Sequence, residues 1–386
     1  MNVTSAVTYF EQTFGRKPTV VAKAPGRLEV LGNHTDYNDG ITLSCAVGQV
    51  TEFAMAPVEG KQCSIISSMT GEKTTFELDN IEQAIKGDWT NYVKGVIVQL
   101  RKRGFEVPAF QAAVHSTVPL SAGMSSSAAL EVAAGYAFSK AFNIELSMTE
   151  WAKVGQGVEN EYIGLGSGLL DQFSSVFGKK EGLIYSDFRT NEVIKNVDVP
   201  SGYVLVVANS LVKHDLVDSD YNVRRESCMN VAQKMSQLHN GVSALRDVTP
   251  AMLKASKAEH DSIDYRRALH VVAECDRVIK GVSALENNDI ATFGKLLSES
   301  HVSSVENFDN SCEELDVLCE LSKAHDACVG ARLSGGGFGG ISIHMVKADQ
   351  AEEYCSYLES AYEKKMGKKT ETIICAMGPG ASVEAL

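Results

Sequence analysis

The chain has 386 residues, 44% hydrophobic and 22% charged, with 32 Gly and 8 Pro. That length suits two domains with sizeable cores, and the composition excludes collagen-like, low-complexity and disordered chains. A formal net charge of −13 makes nucleic acid and anionic lipid poor partners, because both repel an acidic surface.

The first third is strand-rich. Residues 49–57 (QVTEFAMAP), 62–67 and 73–78 alternate or are β-branched, and Gly60 and Gly71 punctuate them. Residues 88–103 have apolar positions at helical spacing and end in basic residues before Gly104, which predicts a helix and its stop. A strand is predicted over 109–116, then a small-residue loop at 119–127 opening an Ala-rich helix at about 126–142. Helices follow near 148–162 and 169–177, and strands at 181–187 and 203–209. The second half is more helical, at about 219–238, 263–287, 290–303, 311–325 and 348–366, with strands at 328–334, 341–346 and 370–376. No fixed-period repeat is visible. Strands and helices come in mixed blocks, so the fold class expected is α+β. The polar, turn-rich stretch 190–202 is taken as a boundary, giving domains 1–195 and 196–386.

The nine cysteines form no CxxC pair and no zinc-finger spacing. They are read as small buried hydrophobes in a reducing, cytoplasmic setting. Met1 to Phe10 has no basic stretch followed by an apolar run, and the longest apolar runs, such as Tyr203–Ala208, are far short of a membrane span. A cytoplasmic monomer with no membrane partner is expected.

Four segments carry chemistry. Residues 118–130 (VPLSAGMSSSAAL) lead small residues into a helix start, where unpaired N–H groups and the positive dipole end suit an anion. A cluster of N-cap serines would give the same pattern. No Walker A motif is present, so a nucleotide here would be held without that lysine. A second run, 331–340 (ARLSGGGFGG), fits GxGxxG, but the following ISIHMV reads as a strand, so a dinucleotide fingerprint is rejected. What remains is a tight turn between strands, or backbone brought close to a loop or ligand. Residues 24–37 (APGRLEVLGNHTDY) place Arg27 on a short apolar strand and crowd Asn33, His34 and Asp36 into the next loop. That donor and acceptor density suits a polyhydroxylated ligand, and an Asx-type turn explains it equally. In 159–172 (ENEYIGLGSGLLDQ) Asp171 is flanked by Leu169, Leu170 and Phe173, which suits a partly buried base or a structural carboxylate. His270, Glu274 and His301 do not form HExxH and are read as structural.

Together these segments resemble the GHMP small-molecule kinases, and the galactokinase family in particular. GRLEVLGNHTDYNDG resembles the family's GRxNxIGEHTDYN signature, PLSAGMSSSAAL its ATP loop, and GSGLLDQ the region of its catalytic aspartate. YNVRRESC at 221–228, RRALHVVAE at 266–274 and GARLSGGGFGG at 330–340 also match. The resemblance implies a two-lobed fold with mixed sheets and the site between lobes. It implies ATP with Mg²⁺, and phosphorylation of the anomeric hydroxyl of a galactose-like sugar. On matched positions, Asp171 would accept or orient the hydroxyl proton, and Arg27 would stabilise charge and keep Asp171 ionised. Ser127 and Glu159 would hold Mg²⁺. Ser121, Ala122, Gly123, Met124, Ser125, Ser126 and Ser127 would cradle the phosphates, and Trp89 would flank adenine. Asn33, His34, Thr35, Asp36, Gly168 and Tyr221 would line the sugar.

One departure stands out. The family has Asn where this chain has Glu29, and Glu where it has Asn33. Either the two side chains touch and the exchange is neutral, or the far end of the sugar is read differently. The expectation is D-galactose. The alternatives are a C6-altered relative such as galacturonate or L-arabinose, a non-catalytic galactose/ATP sensor, and a GHMP branch acting on mevalonate or homoserine. The intact serine loop, with Arg27, Glu159 and Asp171, argues against a sensor. The HTDY and YNVRR segments argue against the last branch.

Overall fold

The computed structural model describes residues 5–119, 123–212 and 217–386. In chain order its elements are α1 (Ala6–Phe14), β1 (Val20–Leu31), β2 (Ile41–Pro57), β3 (Gln62–Ser67), β4 (Lys73–Glu77), α2 (Asn91–Lys102), β5 (Phe110–Ser116), α3 (Ser126–Phe142), α4 (Met148–Gly157), α5 (Leu170–Phe177), β6 (Leu183–Asp187), β7 (Glu192–Val197) and β8 (Tyr203–Asn209). They continue with α6 (Val217–Leu238), α7 (Pro250–Ala255), α8 (Ser262–Glu286), α9 (Ile290–Ser303), α10 (Glu313–Ser322), β9 (Cys328–Ser334), β10 (Ile341–Lys347), α11 (Ala351–Met366), β11 (Glu371–Cys375) and β12 (Ser382–Ala385).

Among the described residues the strands form two sheets. The eight-stranded sheet runs β12-β1-β2-β5-β3-β4, with β6 on β2 and β7 on β6; the four-stranded sheet runs β11-β8-β10-β9. All ladders are antiparallel except β3 with β5. The α+β expectation holds, with mixed strand directions in the larger sheet. Beyond the elements anticipated, the fold has α1, a long β1, β7, α7 and β12. The β7 strand occupies the stretch read as a boundary. β12, from the far end of the chain, pairs with β1 in the sheet built mostly by the first half.

β1 is buried along nearly its whole length. A strand covered on both faces loses its alternation, which is why most of it escapes a periodicity search. Helix α3 lies against β1 and β2. Its run of buried alanines, among them Ala128, Ala129, Ala133 and Ala134, lets the helix backbone approach the sheet closely. One apolar core links the larger sheet to the smaller: Leu28, Val30 and Leu43 pack in one cluster with Val278, Phe293, Ile341 and Ile343. Burying such side chains contributes about 1.5–3 kcal/mol each. The cluster fixes β1 against β10 and so fixes the loops at their ends.

Helix α4 ends earlier than its apolar spacing predicts. Val158–Ile163 form a π-turn closed by Gly164 at φ 91°. One extra residue per turn swings the side chains after Gly157 away from the α-helical stripe, and Glu159 is among them.

Candidate active site

β1, the start of α3, the π-turn, the start of α5 and the β9–β10 turn enclose a cavity of about 550 Å³. The loop into α3 is threaded tightly against β1. Arg27 N–H donates to Met124 O at 3.1 Å. A Cβ on Gly26 would lie 2.6 Å from that same oxygen. Ser125 then takes a left-handed conformation (φ 56°) and opens the helix.

Arg27 is 4% exposed. Its Nε donates to Asp171 Oδ1 at 2.8 Å, Nη2 to Asp171 Oδ2 at 2.9 Å and Nη1 to Gly123 O at 2.7 Å. The Ser125 hydroxyl also donates to Asp171 Oδ2. Burial pulls the Arg27 pKa down, but Asp171, Glu29 and Glu159 pull it up and win. The guanidinium is therefore a permanent cation locked to the carboxylate by a two-point fork. Beside it, Ser127 Oγ donates to Glu159 Oε1 at 3.3 Å, and Ser167 Oγ donates to Oε2. Burial, reinforced by the Asp171 charge, pushes Glu159 up to about 7 against the hydrogen bonds from Ser167, Gln172 and Ser127.

The polar wall comes from the loop after β1. His34 takes φ 59°; its Nδ1 lies 2.8 Å from Tyr37 Oη and its Nε2 3.1 Å from Gly336 O. A carbonyl only accepts, so Nε2 carries the proton and Tyr37 donates to Nδ1. Burial drives the His34 pKa down to about 3, so the ring is neutral. His34 packs on Tyr221 and Phe308, with ring centroids 4.9 and 4.4 Å away. Asp36 Oδ1 accepts from Tyr37 N–H at 3.0 Å and Oδ2 from Leu170 N–H at 3.1 Å. Burial pushes Asp36 up to about 7. Gly168 leaves the room for it: a Cβ there would sit 1.8 Å from Asp36 Oδ2.

The cavity therefore brings together Arg27, Asp171, His34, Asp36, Gly168, Tyr221, Gly123, Ser125, Ser126, Ser127, Glu159 and Trp89, all singled out in the sequence. Ser121 and Ala122 lie outside the described residues. Three expected positions face elsewhere. Met124 is 1% exposed in the apolar core, and only its carbonyl serves the site, through Arg27 N–H. Thr35 is buried, and its hydroxyl donates to Gly32 O and Ile41 O at 2.8 Å each, closing the turn. Asn33 is 0% exposed. Its Nδ2 donates to Glu29 Oε1 and Gly335 O at 2.8 Å, and its Oδ1 accepts from Asn310 at 3.1 Å. Asn33 thus braces the cavity wall from behind, and the two exchanged side chains touch.

Other contributors were not among the residues assigned to the site. Glu274 on α8 accepts from Gly32 N–H at 3.1 Å and Ser300 Oγ at 2.7 Å, pinning the loop from below. Met69 and Thr70, at the β3–β4 turn, join Trp89, Tyr92 and Leu130 in the less polar end of the cavity. The glycine run keeps its strand–turn–strand geometry, and Gly335 and Gly336 reach the cavity wall.

Residues 8–57 match the galactokinase galactose-binding signature, residues 91–179 the GHMP kinases N terminal domain, and residues 282–364 the GHMP kinases C terminal domain. A galactokinase of Glaesserella parasuis is 36% identical over 381 residues, covering 97% of this chain and 98% of that protein. The chain belongs to the galactokinase family of the GHMP kinases. A galactokinase of Roseiflexus sp. (strain RS-1) is 34% identical over 371 residues, covering 96% and 94%. The crystal structure of Lactococcus lactis galactokinase complexed with galactose superposes with a TM-score of 0.93 at 30% identity, over 97% of this chain and 98% of that one. Methanococcus jannaschii mevalonate kinase shares the fold, with a TM-score of 0.63 at 17% identity over 94% and 99%.

Proposed function

We propose that this chain is an ATP-dependent sugar kinase that moves the γ-phosphoryl group of ATP to the anomeric hydroxyl of D-galactose, releasing ADP and galactose 1-phosphate. The observation that carries the chemistry is the Arg27–Asp171 fork at the mouth of α3, inside the same cavity as the polar wall of His34, Asp36 and Tyr221.

Phosphoryl transfer depends on positioning and on neutralising charge. In this reading Gly123 and Ser125–Ser127 cradle the phosphates, using the unpaired N–H groups and positive end of α3. The chain's −13 charge does not prevent this, because the field at a helix end is local. Asp171 accepts a hydrogen bond from the C1 hydroxyl and takes its proton as the O–P bond forms and the bond to ADP breaks. Arg27 stabilises charge on the transferring oxygens and holds the Asp171 side chain in orientation through its two-point fork. Trp89 packs at the adenine end. His34, Asp36, Gly168 and Tyr221 hold the sugar so that C1 points at Asp171.

The donors at the start of α3 fit Mg²⁺: Ser127 Oγ and the Glu159 carboxylate are hard oxygens in contact. Among the described residues there is no cluster of three or more His, Cys, Asp or Glu able to hold a metal. The fit is therefore to an ion that takes most of its ligands from ATP and water. When bound, Mg²⁺ would offset the phosphate charge. Around it, Ser167 and Gln172 hold the Glu159 carboxylate in place.

The lobes divide near 195/196, with β12 assigned to the first. The chain is proposed to act as a monomer. All nine cysteines are free, which suits the cytoplasm, and no helix among the described residues is long and apolar enough to cross a membrane. The test is ADP release from purified protein over a sugar panel, with Asp171→Asn alongside. Rapid ADP release with galactose, and a loss of at least about a thousandfold in turnover with ATP binding kept in the variant, are expected. No sugar-dependent ADP release, or near-normal turnover by the variant, would refute it.

A further inference from the structure

A second cavity, of about 350 Å³, lies behind the polar wall of the first. Asp36 lines both, and the partition continues through neighbouring residues that serve opposite sides. Glu159 and Leu170 line the first cavity, whereas Asn160 and Leu169 line the second. A volume of this size falls within the range of about 300–1,000 Å³ found for small-molecule pockets. Three cations from separate helices meet there: Arg103 just past the end of α2, Lys153 on α4 and Arg225 on α6.

The acids on this lining are already engaged. Glu161 accepts from Lys102 at 2.7 Å and from Gln99 at 3.1 Å. Asp39 faces Arg189 at 3.6 Å, and Asp36 accepts from the backbone N–H groups of Tyr37 and Leu170. The cations keep donors in reserve. Arg103 donates to Gln99 through Nη1, and Arg225 donates to Gly166 O through Nη1 at 2.7 Å; neither uses Nε or Nη2 on the described residues. Lys153 pairs with Glu150 at 3.2 Å, both side chains being 40% exposed, and such a surface pair contributes little. Unused donors of one sign, two of them planar forks, select an anion with several acceptor oxygens. Gln156, Asn160 and Asn191 add amides to the same lining. Amides both donate and accept, which matches hydroxyl groups.

We propose that this second cavity binds a small phosphorylated polyol, whose phosphate is held by Arg103, Lys153 and Arg225 and whose occupancy tightens sugar binding in the first cavity. The effect on the sugar rests on the function proposed above; the site itself does not. Arg225 is the link between the two. The Gly166 carbonyl that it holds belongs to the segment carrying Ser167, which donates to Glu159, and Gly168, which makes room for Asp36. The N–H of Gly166 is tied to Asn222, also on α6, at 2.9 Å. The Arg225 guanidinium lies 5.9 Å above the ring of Tyr37, whose hydroxyl donates to His34. A phosphate that joins Arg225 to α2 and α4 fastens both sides of the partition. A sugar held by the same residues favours the same arrangement, so each ligand raises the affinity of the other by an equal factor.

The experiment is calorimetry with D-glucose 6-phosphate and with inorganic phosphate. It uses the full chain saturated with galactose and a non-hydrolysable ATP analogue, which keeps phosphate off the start of α3. Glucose 6-phosphate should bind at least about tenfold more tightly than inorganic phosphate, through the added amide contacts. Arg103→Met with Lys153→Met should weaken it at least about tenfold, while galactose turnover without effector stays within about threefold of wild type. Lys153→Met alone, at a half-exposed position, keeps the test open if the double variant does not fold. Saturating glucose 6-phosphate should lower the galactose KM about fivefold or more in the wild type, and not in the double variant. No binding to the saturated chain, binding no tighter than inorganic phosphate, binding unchanged in the variants, or a galactose KM that glucose 6-phosphate does not lower would overturn the proposal. Absence of ADP release with every sugar would instead defeat the kinase reading, and calorimetry on the wild type and variants would still decide the site.

Discussion

Replacing Gly168 by alanine tests whether the sugar wall and the start of α5 are built as one unit. The added Cβ would stand 1.8 Å from Asp36 Oδ2, 2.1 Å from Cγ and 2.5 Å from Oδ1. Side-chain carbons do not approach oxygen that closely, so the carboxylate has to retreat by more than about 1 Å, as in any overpacked site. That retreat breaks the 3.1 Å bond from Leu170 N–H, which sits at the upper end of hydrogen-bond distance. A hydrogen bond to a charged group contributes about 1.5–3 kcal/mol, and overpacking costs about 1–3 kcal/mol more. Even the lower half of that range, about 3 kcal/mol, corresponds to roughly a hundredfold at about 1.4 kcal/mol per decade. We expect kcat/KM for the sugar to fall about 100-fold, mostly through KM. ATP affinity, measured by calorimetry without sugar, should stay within about threefold, because the phosphate loop is not touched. A sugar KM within threefold of wild type, or equal losses for both substrates, would refute the placement of Asp36 against Gly168.

Other outcomes follow from the same geometry. Asp36 is pushed up to about 7 by burial, so it takes up a proton as pH falls through 7. The apparent sugar KM should then rise between pH 8 and 6, and Asp36→Asn should flatten that dependence while weakening sugar binding throughout. Glu274→Ala removes a buried carboxylate that holds Gly32 N–H, Ser300 and Arg277. Breaking such a site costs about 3–5 kcal/mol, readable in urea melts; an unchanged midpoint would show that the loop after β1 needs no support from α8. Asn33→Glu sets a second carboxylate beside Glu29 with Arg332 to share. It should destabilise the chain by a similar amount, about 3 kcal/mol or more, before it alters sugar choice. The double exchange Glu29→Asn with Asn33→Glu should regain most of that loss, and no recovery would contradict the direct contact between the two positions.

The sequence exposed the site unevenly, for physical reasons. Helix α3 and strands β8 and β9 were legible because an alanine-rich run and two short apolar runs are bounded by residues typical of turns. Most of β1 was not, because a strand covered on both faces reads as a featureless apolar run. Helical spacing continues past Gly157, so nothing local announces the π-turn that aims Glu159. Arg27 and Asp171 are 144 positions apart; only resemblance to a family could join them before the fold did. Asn33, Thr35 and Met124 show the opposite limit. A motif says that residues belong to a loop, but not which of them face inward. The ladder shifts between Glu29 and Leu31, so alternation cannot be carried from the strand into the loop. The contact between Glu29 and Asn33 explains how the exchange is accommodated, because a carboxylate and an amide trade places within one hydrogen-bonded pair.

A crystal structure of the chain with galactose and a non-hydrolysable ATP analogue tests the central claim most directly. The account predicts the anomeric oxygen within hydrogen-bond distance of Asp171 and the terminal phosphate at the first turn of α3, on the Arg27 side. A nucleotide bound away from that helix end, or a sugar presenting a different hydroxyl to Asp171, would contradict it.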